Sequence, residues 1–182
     1  ERKGSLRTAG ILLTLYILVS VLSGYCTSYL FNPAGGVNFS IYKSVATTLG
    51  LFFLWCIASW CLTSLYDGEG RFTDILKATA YALVPVTLIQ CILIPLSYML
   101  VLTEASFYTM LVNIGYVWMA FLLFTGTLVT HQYTFAKSVL MIDFILLGMC
   151  MMAYIALLFF NLIQQMSGFF VTLWAELKLR LS

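Results

Sequence analysis

Five charged side chains crowd one short stretch, Asp67-Gly68-Glu69-Gly70-Arg71-Phe72-Thr73-Asp74-Ile75-Leu76-Lys77, in a chain that is only 9% charged. Carboxylates so spaced could hold a cation, and the glycines between them could cradle a phosphate. Spacing decides against both. A calcium loop of the EF-hand type needs oxygen ligands at positions 1, 3 and 5, glycine at 6 and glutamate at 12. Counted from Asp67, those last three places hold Arg71, Phe72 and Ala78. The glycines follow no strand and lead into no Gly-Lys-Ser/Thr, so the phosphate reading fails too. Two readings remain. In the first the stretch is a wet turn: Asp67 and Glu69 stay hydrated, Gly68 and Gly70 are free to take positive φ, Asp74 sits near the positive end of the next helix, and Arg71 and Lys77 face lipid phosphates. In the second, Asp67, Glu69, Arg71, Asp74 and Lys77 form a docking loop whose charges meet a partner.

Asp143 poses a different question. It lies about eight residues into the last apolar run, roughly 10–12 Å deep at 1.5 Å per residue. A carboxylate at that depth costs several kcal/mol unless it is paired, protonated or facing water. The structural reading gives it an interhelical hydrogen bond to Asn113, Thr125 or Tyr81, or pairs it with Lys77; the functional reading is a proton or ion relay. His131, the only histidine, sits in a polar turn beside Tyr133 and reads as a snorkelling interface residue. A general base would need a nucleophile and an orienting group, and the sequence places neither beside it. The cysteines (Cys26, Cys56, Cys61, Cys91, Cys150) are scattered without a CxxC and read as small buried hydrophobes. No metal, no cofactor and no catalytic set are expected.

The elements that position these residues follow from composition. The 182 residues are 62% hydrophobic with a mean hydropathy of +1.00, whereas soluble domains carry about 25% charged residues. Apolar runs of about 20 residues match a hydrocarbon core of about 30 Å. The expected class is an all-α polytopic membrane protein, one domain over 1–182, with five spans at 6–30, 44–65, 75–100, 107–129 and 135–163. A net charge of +2 without clustered basic residues excludes nucleic acid as a partner. Since the chain opens Glu1-Arg2-Lys3 without methionine, a preceding N-terminal region is expected.

With the N-terminus inside, the inner side holds Arg2, Lys3, Arg7, Arg71, Lys77 and Lys137, against Lys43, Lys178 and Arg180 outside. The positive-inside rule therefore favours a cytoplasmic N-terminus and charged stretch, with the C-terminus outside. Asn32-Pro33-Ala34-Gly35-Gly36 should turn the chain between the first two spans, and Thr103 should cap the fourth. Pro85 and Pro95 should kink or break the third. Residues 169–181 place Phe169, Leu173, Leu177 and Leu181 four apart, an interfacial amphipathic tail, although Leu177–Leu181 also alternates as a short strand would. Ala78-xxx-Ala82, Ala46-xxx-Gly50 and Ser20-xxx-Gly24 are small-residue faces for close packing. Trp55, Trp60, Trp118 and Trp174 read as interfacial anchors. A repeat is visible: Gly50…Asp67…Phe72…Pro85 parallels Gly115…His131…Phe135…Gly148, so two helical hairpins of one orientation follow a first helix.

Trp60-x-x-Thr63-x-x-x-Asp67-Gly68-Glu69-Gly70-x-Phe72-x-Asp74 followed by Ala80-Tyr81-Ala82-Leu83-Val84-Pro85, with a second turn Thr130-His131-x-Tyr133-x-Phe135, resembles the Yip1-domain family, especially its bacterial members. The resemblance implies five spans and a non-enzymatic role. Eukaryotic relatives act in vesicle traffic between ER and Golgi and associate with prenylated Rab GTPases; their Asp-Leu-Tyr-Gly-Pro motif is absent here. Some bacterial relatives resemble accessory proteins of carbohydrate ABC importers. The reading is an adaptor of the bacterial plasma membrane, with the ER/Golgi membrane as alternative. It would bind lipid, another integral membrane protein or complex, and a second copy of itself. The rival is a small transporter or channel using Asp143 and the Pro85/Pro95 helix.

Overall fold

The computed structural model describes residues 5–28, 30–32, 39–66 and 70–181, and for 175–177 and 179–181 the backbone only. Six α-helices follow one another: α1 Leu6–Cys26, α2 Ile41–Leu65, α3 Phe72–Ala82, α4 Val84–Met99, α5 Ala105–His131 and α6 Phe135–Leu181. No strand occurs among the described residues. Because α3 and α4 are halves of one broken stretch, five helical stretches are long and apolar enough to cross a membrane. Leu18, Ile92, Phe121 and Leu158 are each more than half exposed. So many large apolar side chains turned outward suit hydrocarbon, not water, as the surrounding solvent.

The third span is the axle of the bundle. In its most apolar window 39% of the residues are buried, against at most 22% in any other span, and it packs on α1, α2 and α5. Ala9, Phe52, Cys56, Ile75 and Ala80 form the core, with Trp55, Phe72 and Leu83 against it. Buried hydroxyls avoid the cost of an unpaired donor by bonding back one turn: Thr79 to the carbonyl of Ile75, Thr87 to Leu83, Thr127 to Leu123. Small residues let the helices close. A Cβ at Gly126 would stand 3.3 Å from that of Ala78, and one at Gly115 3.2 Å from Ile89 Cδ1.

Several expected boundaries move for local reasons. The first span ends at Cys26, not at 30: Thr27 is extended, the Ser28 amide donates to Ser97 Oγ at 3.1 Å, and Asn32 Nδ2 donates to the Gly24 carbonyl, so the last turn's orphan groups are satisfied off the helix. The second begins earlier, at Ile41, because the Ser40 side chain caps it by accepting from the Lys43 amide. The third starts at Phe72, breaks at Leu83, and resumes with Pro85 in the first turn of α4, where proline's missing amide costs nothing. Pro95 is carried inside α4. Thr103 does not cap the fourth span; it lies in a 3-10 turn, Leu102–Glu104, and the Glu104 carboxylate accepts from the Val101 amide instead. Pro33–Gly36 lie outside the described residues.

The repeat is visible in the helices, since Phe72 and Phe135 each open one. Its second copy differs, for Gly148 keeps its amide and α6 runs unbroken for 47 residues, about 70 Å at 1.5 Å per residue. The tail at 169–181 is therefore the end of the last helix and not a separate element, and its backbone is helical to Leu181, which overturns the strand alternative. Trp55 packs on the core and Trp118 lies midway along α5, so neither stands at an interface as an anchor.

Candidate functional site

The turns of the two hairpins, α2–α3 and α5–α6, meet at one end of the bundle. The last turn of α2 is closed by the Tyr66 amide donating to the Thr63 carbonyl. The Tyr66 carbonyl is left without a helical amide, and residues from the other hairpin supply a donor. Tyr133 Oη donates to the Tyr66 carbonyl at 3.2 Å and to that of Thr63 at 3.5 Å. Lys137 Nζ donates to Tyr66 O at 3.3 Å and lies 4.4 Å from the centre of the Tyr133 ring. A cation thus stands at the negative end of the α2 dipole, held by a cation–π contact.

The approach of Tyr133 depends on one residue. Gln132 ends α5 in the left-handed conformation, φ 56°, which lets the Gln132 and Tyr133 amides both reach back to the Leu128 carbonyl. The chain then reverses, and the Tyr133 ring stacks on His131 with centroids 5.5 Å apart. His131 is only 2% exposed, so the expected snorkelling residue is in fact a core histidine. Gly70 makes this close packing feasible, for a Cβ there would stand 2.5 Å from His131 Cε1 and 2.7 Å from Nδ1. Above the ring lies a cavity of about 10 Å³ lined by Ser59, Thr79, Thr127 and Thr130 among others, room for about one water.

Of the expected docking residues, Asp67 and Glu69 lie outside the described residues. Arg71 is exposed at the N-cap of α3, and Asp74 in the first turn bonds Lys77 Nζ at 2.9 Å. That is the only ion pair among the described residues, so Arg71 makes none with any of them. Ala82 is buried and Ala78 faces Gly126 of α5, whereas Ala46 and Gly50 are exposed with open space above Gly50. The Ala78/Ala82 face is thus occupied within the chain and the Ala46/Gly50 face is not.

Asp143 is not where helix counting put it. Phe144 stacks on Tyr66, ring centroids 6.0 Å apart, and Gly148 sits against Leu62. Asp143 is therefore level with the C-cap of α2, not two turns below it. Its face is exposed, while Ser138, Met141 and Ile145 on the opposite side are buried. None of its expected partners is engaged with it: Tyr81 Oη bonds Thr8 at 2.9 Å, Thr125 bonds the carbonyls of Phe121 and Leu122, Lys77 bonds Asp74, and Asn113 is exposed in the other half of α5. Asp143 is exposed beside the end of α2, next to the polar turns, and none of those residues pairs with it. Asp143→Leu is expected to change stability by no more than about 0.5 kcal/mol, as at an ordinary surface position; a loss of 1–2 kcal/mol in detergent unfolding would restore a buried carboxylate.

The contacts that join the hairpins, Gly70 to His131 and Tyr133 with Lys137 to Tyr66, were not assembled by sequence reasoning. The repeat was the available signal, since it pairs the two Phe-led turns. Comparison with curated proteins and with solved structures gives no significant match. The Yip1 domain model matches residues 1–158, most of the chain. With five apolar helices able to cross a bilayer and two Phe-led hairpins locked turn to turn, the chain belongs to the Yip1-domain family of membrane proteins.

Proposed function

We propose that this protein is a non-enzymatic membrane adaptor, and that its docking face is the hairpin end, with Arg71, Asp74 and Lys77 flanked in sequence by Asp67 and Glu69. One observation carries the reading: Arg71 is an exposed cation without an ion pair among the described residues, standing on a platform that the Tyr133, Lys137 and His131 contacts hold fixed. A rigid surface carrying exposed charge gives specificity and speeds encounter with a complementary partner. The partner is another integral membrane protein or complex, with the carbohydrate ABC importer of the bacterial plasma membrane as the first to test. The positive-inside tally favours a cytoplasmic face and a C-terminus outside.

The rival reading, a transporter or channel, draws on the third span broken at Leu83. Against it stand an internal cavity for about one water and an Asp143 that faces away from the bundle. A trafficking role of the eukaryotic kind lacks its motif. The double reversal Asp67→Lys/Glu69→Lys should leave stability within about 0.5 kcal/mol. It should lower co-purification with importer subunits from mild-detergent extracts, most strongly at low salt. Unchanged recovery would remove the charged face from the adaptor reading, and substrate flux into liposomes holding the purified protein would favour the rival.

A further inference from the structure

The contact between the two hairpins is built around a side chain that can change its charge. His131, the only histidine of the chain, closes α5 at the hairpin end and is 2% exposed. Its ring stacks on Tyr133 and borders the small cavity shared with Ser59, Thr79 and Thr127. The Nδ1 edge is turned to the other hairpin, for a Cβ on Gly70 would stand 2.7 Å from Nδ1. Nδ1 is buried there and has no hydrogen-bond partner among the described residues. With its proton on Nε2, the neutral ring leaves only an acceptor unpaired at that edge. The protonated ring is a donor at both nitrogens. It would press a charged N–H against Gly70 with no oxygen to receive it, and an unpaired buried charge is among the costliest groups a fold can hold.

The helices around His131 bring it no counter-charge. α5 carries no other charged residue, and the only one on α2, Lys43, stands at its far end. α3 brings Arg71, next to Gly70, and the Asp74–Lys77 pair, whose carboxylate is already engaged. α6 brings Lys137, which lies 4.4 Å from the centre of the same Tyr133 ring, and Asp143, which is exposed. Asp67 and Glu69 lie outside the described residues. The negative end of the α5 dipole would favour a cation, but the Leu128 carbonyl there already accepts from the Gln132 and Tyr133 amides. We propose that His131 is an acid-sensitive latch, whose protonation drives Gly70 off the ring and opens the contact between the α2–α3 and α5–α6 turns. The closed fold takes the ring in its neutral form, whereas in the unfolded chain it gains a proton near pH 6.5, about the ordinary value. The stability due to this contact is therefore complete above that pH and falls as the pH drops below it. The latch concerns how the turns pack, so it stands or falls independently of the adaptor reading.

The test uses the full-length chain in mixed micelles. Because there is one histidine, a single imidazole ¹⁵N signal reports its protonation without assignment. Spin labels at Thr73→Cys and Thr134→Cys, exposed positions on the two turns, report their separation, with Cys26, Cys61, Cys91 and Cys150 replaced by serine. Lowering the pH from 7.5 to 5.5 should lengthen and broaden the distance between the labels as the imidazole takes its proton. In the unlabelled protein the folded-to-unfolded ratio should fall about tenfold over the same interval. His131→Gln should abolish both responses, while Asp67→Asn/Glu69→Gln should leave them in place. Should His131→Gln not fold, the imidazole signal and the label distance of the protein with its histidine decide the matter together. An imidazole that protonates near pH 6.5 with the label distance unchanged would overturn the latch, as would one that stays neutral down to pH 4.5. So would stability that rises on acidification, which would mean that a carboxylate pairs with the protonated ring.

Discussion

Tyr133→Ala is expected to be the most damaging single substitution, at about 3–4 kcal/mol, the range for emptying a buried aromatic site. Three losses coincide. The ring leaves a void beside His131, the hydroxyl no longer bonds the Thr63 and Tyr66 carbonyls, and Lys137 loses the ring that holds it over the end of α2. Tyr133→Phe separates them. It keeps the ring and the cation–π contact and removes only the hydroxyl, so it should cost about 1 kcal/mol. Both are measured by reversible unfolding in mixed micelles. If Tyr133→Ala were as mild as Tyr133→Phe, the two hairpins would not depend on this residue for their contact.

Gly70→Val should cost about 2–3 kcal/mol, the upper part of the range for overpacking a filled site. The case rests on room and not on backbone freedom. Even the first atom of a side chain at Gly70 would press on His131 Cε1 at 2.5 Å and on Thr130 Cγ2 at 2.9 Å. The His131 ring cannot swing aside, because it is buried and stacked on Tyr133. The cost should therefore be coupled to the histidine. In the background of His131→Ala, the penalty for Gly70→Ala should largely vanish, a non-additivity of contacting residues read in a double-mutant cycle. Additive losses would mean that the two turns are not in contact there.

The identity of the bundle was written locally. A run of apolar residues long enough to cross hydrocarbon must become a helix there, because no other unpaired backbone is tolerated. The five spans and all-α class therefore followed from hydropathy and length, without any tertiary contact. The break near Pro85 was legible for the same reason, since a proline's missing amide acts within its own turn. The correspondence of the two Phe-bearing turns was legible through the repeat, although the third span was expected to open at 75 and opens at Phe72, and the Yip1-domain pattern at Asp67–Pro85 was legible residue by residue.

What the sequence left open was every relation between helices. In a membrane, neighbours are chosen by fit and by the pairing of polar groups, not by a contrast between apolar and polar faces, so hydropathy does not say which side of a span looks inward. Asp143 shows the consequence. Its position along α6 was correct, but its depth depends on where α6 passes α2, which only the stacking of Phe144 on Tyr66 fixes. His131 and Tyr133 were placed in the right turn with the wrong surroundings, because Gly70, sixty-one positions before His131, builds their packing. The sequence by itself determined that this chain is a five-span membrane protein with two turns on one side. Only the tertiary structure decided that those turns lock together, because that depends on contacts between residues far apart in the chain.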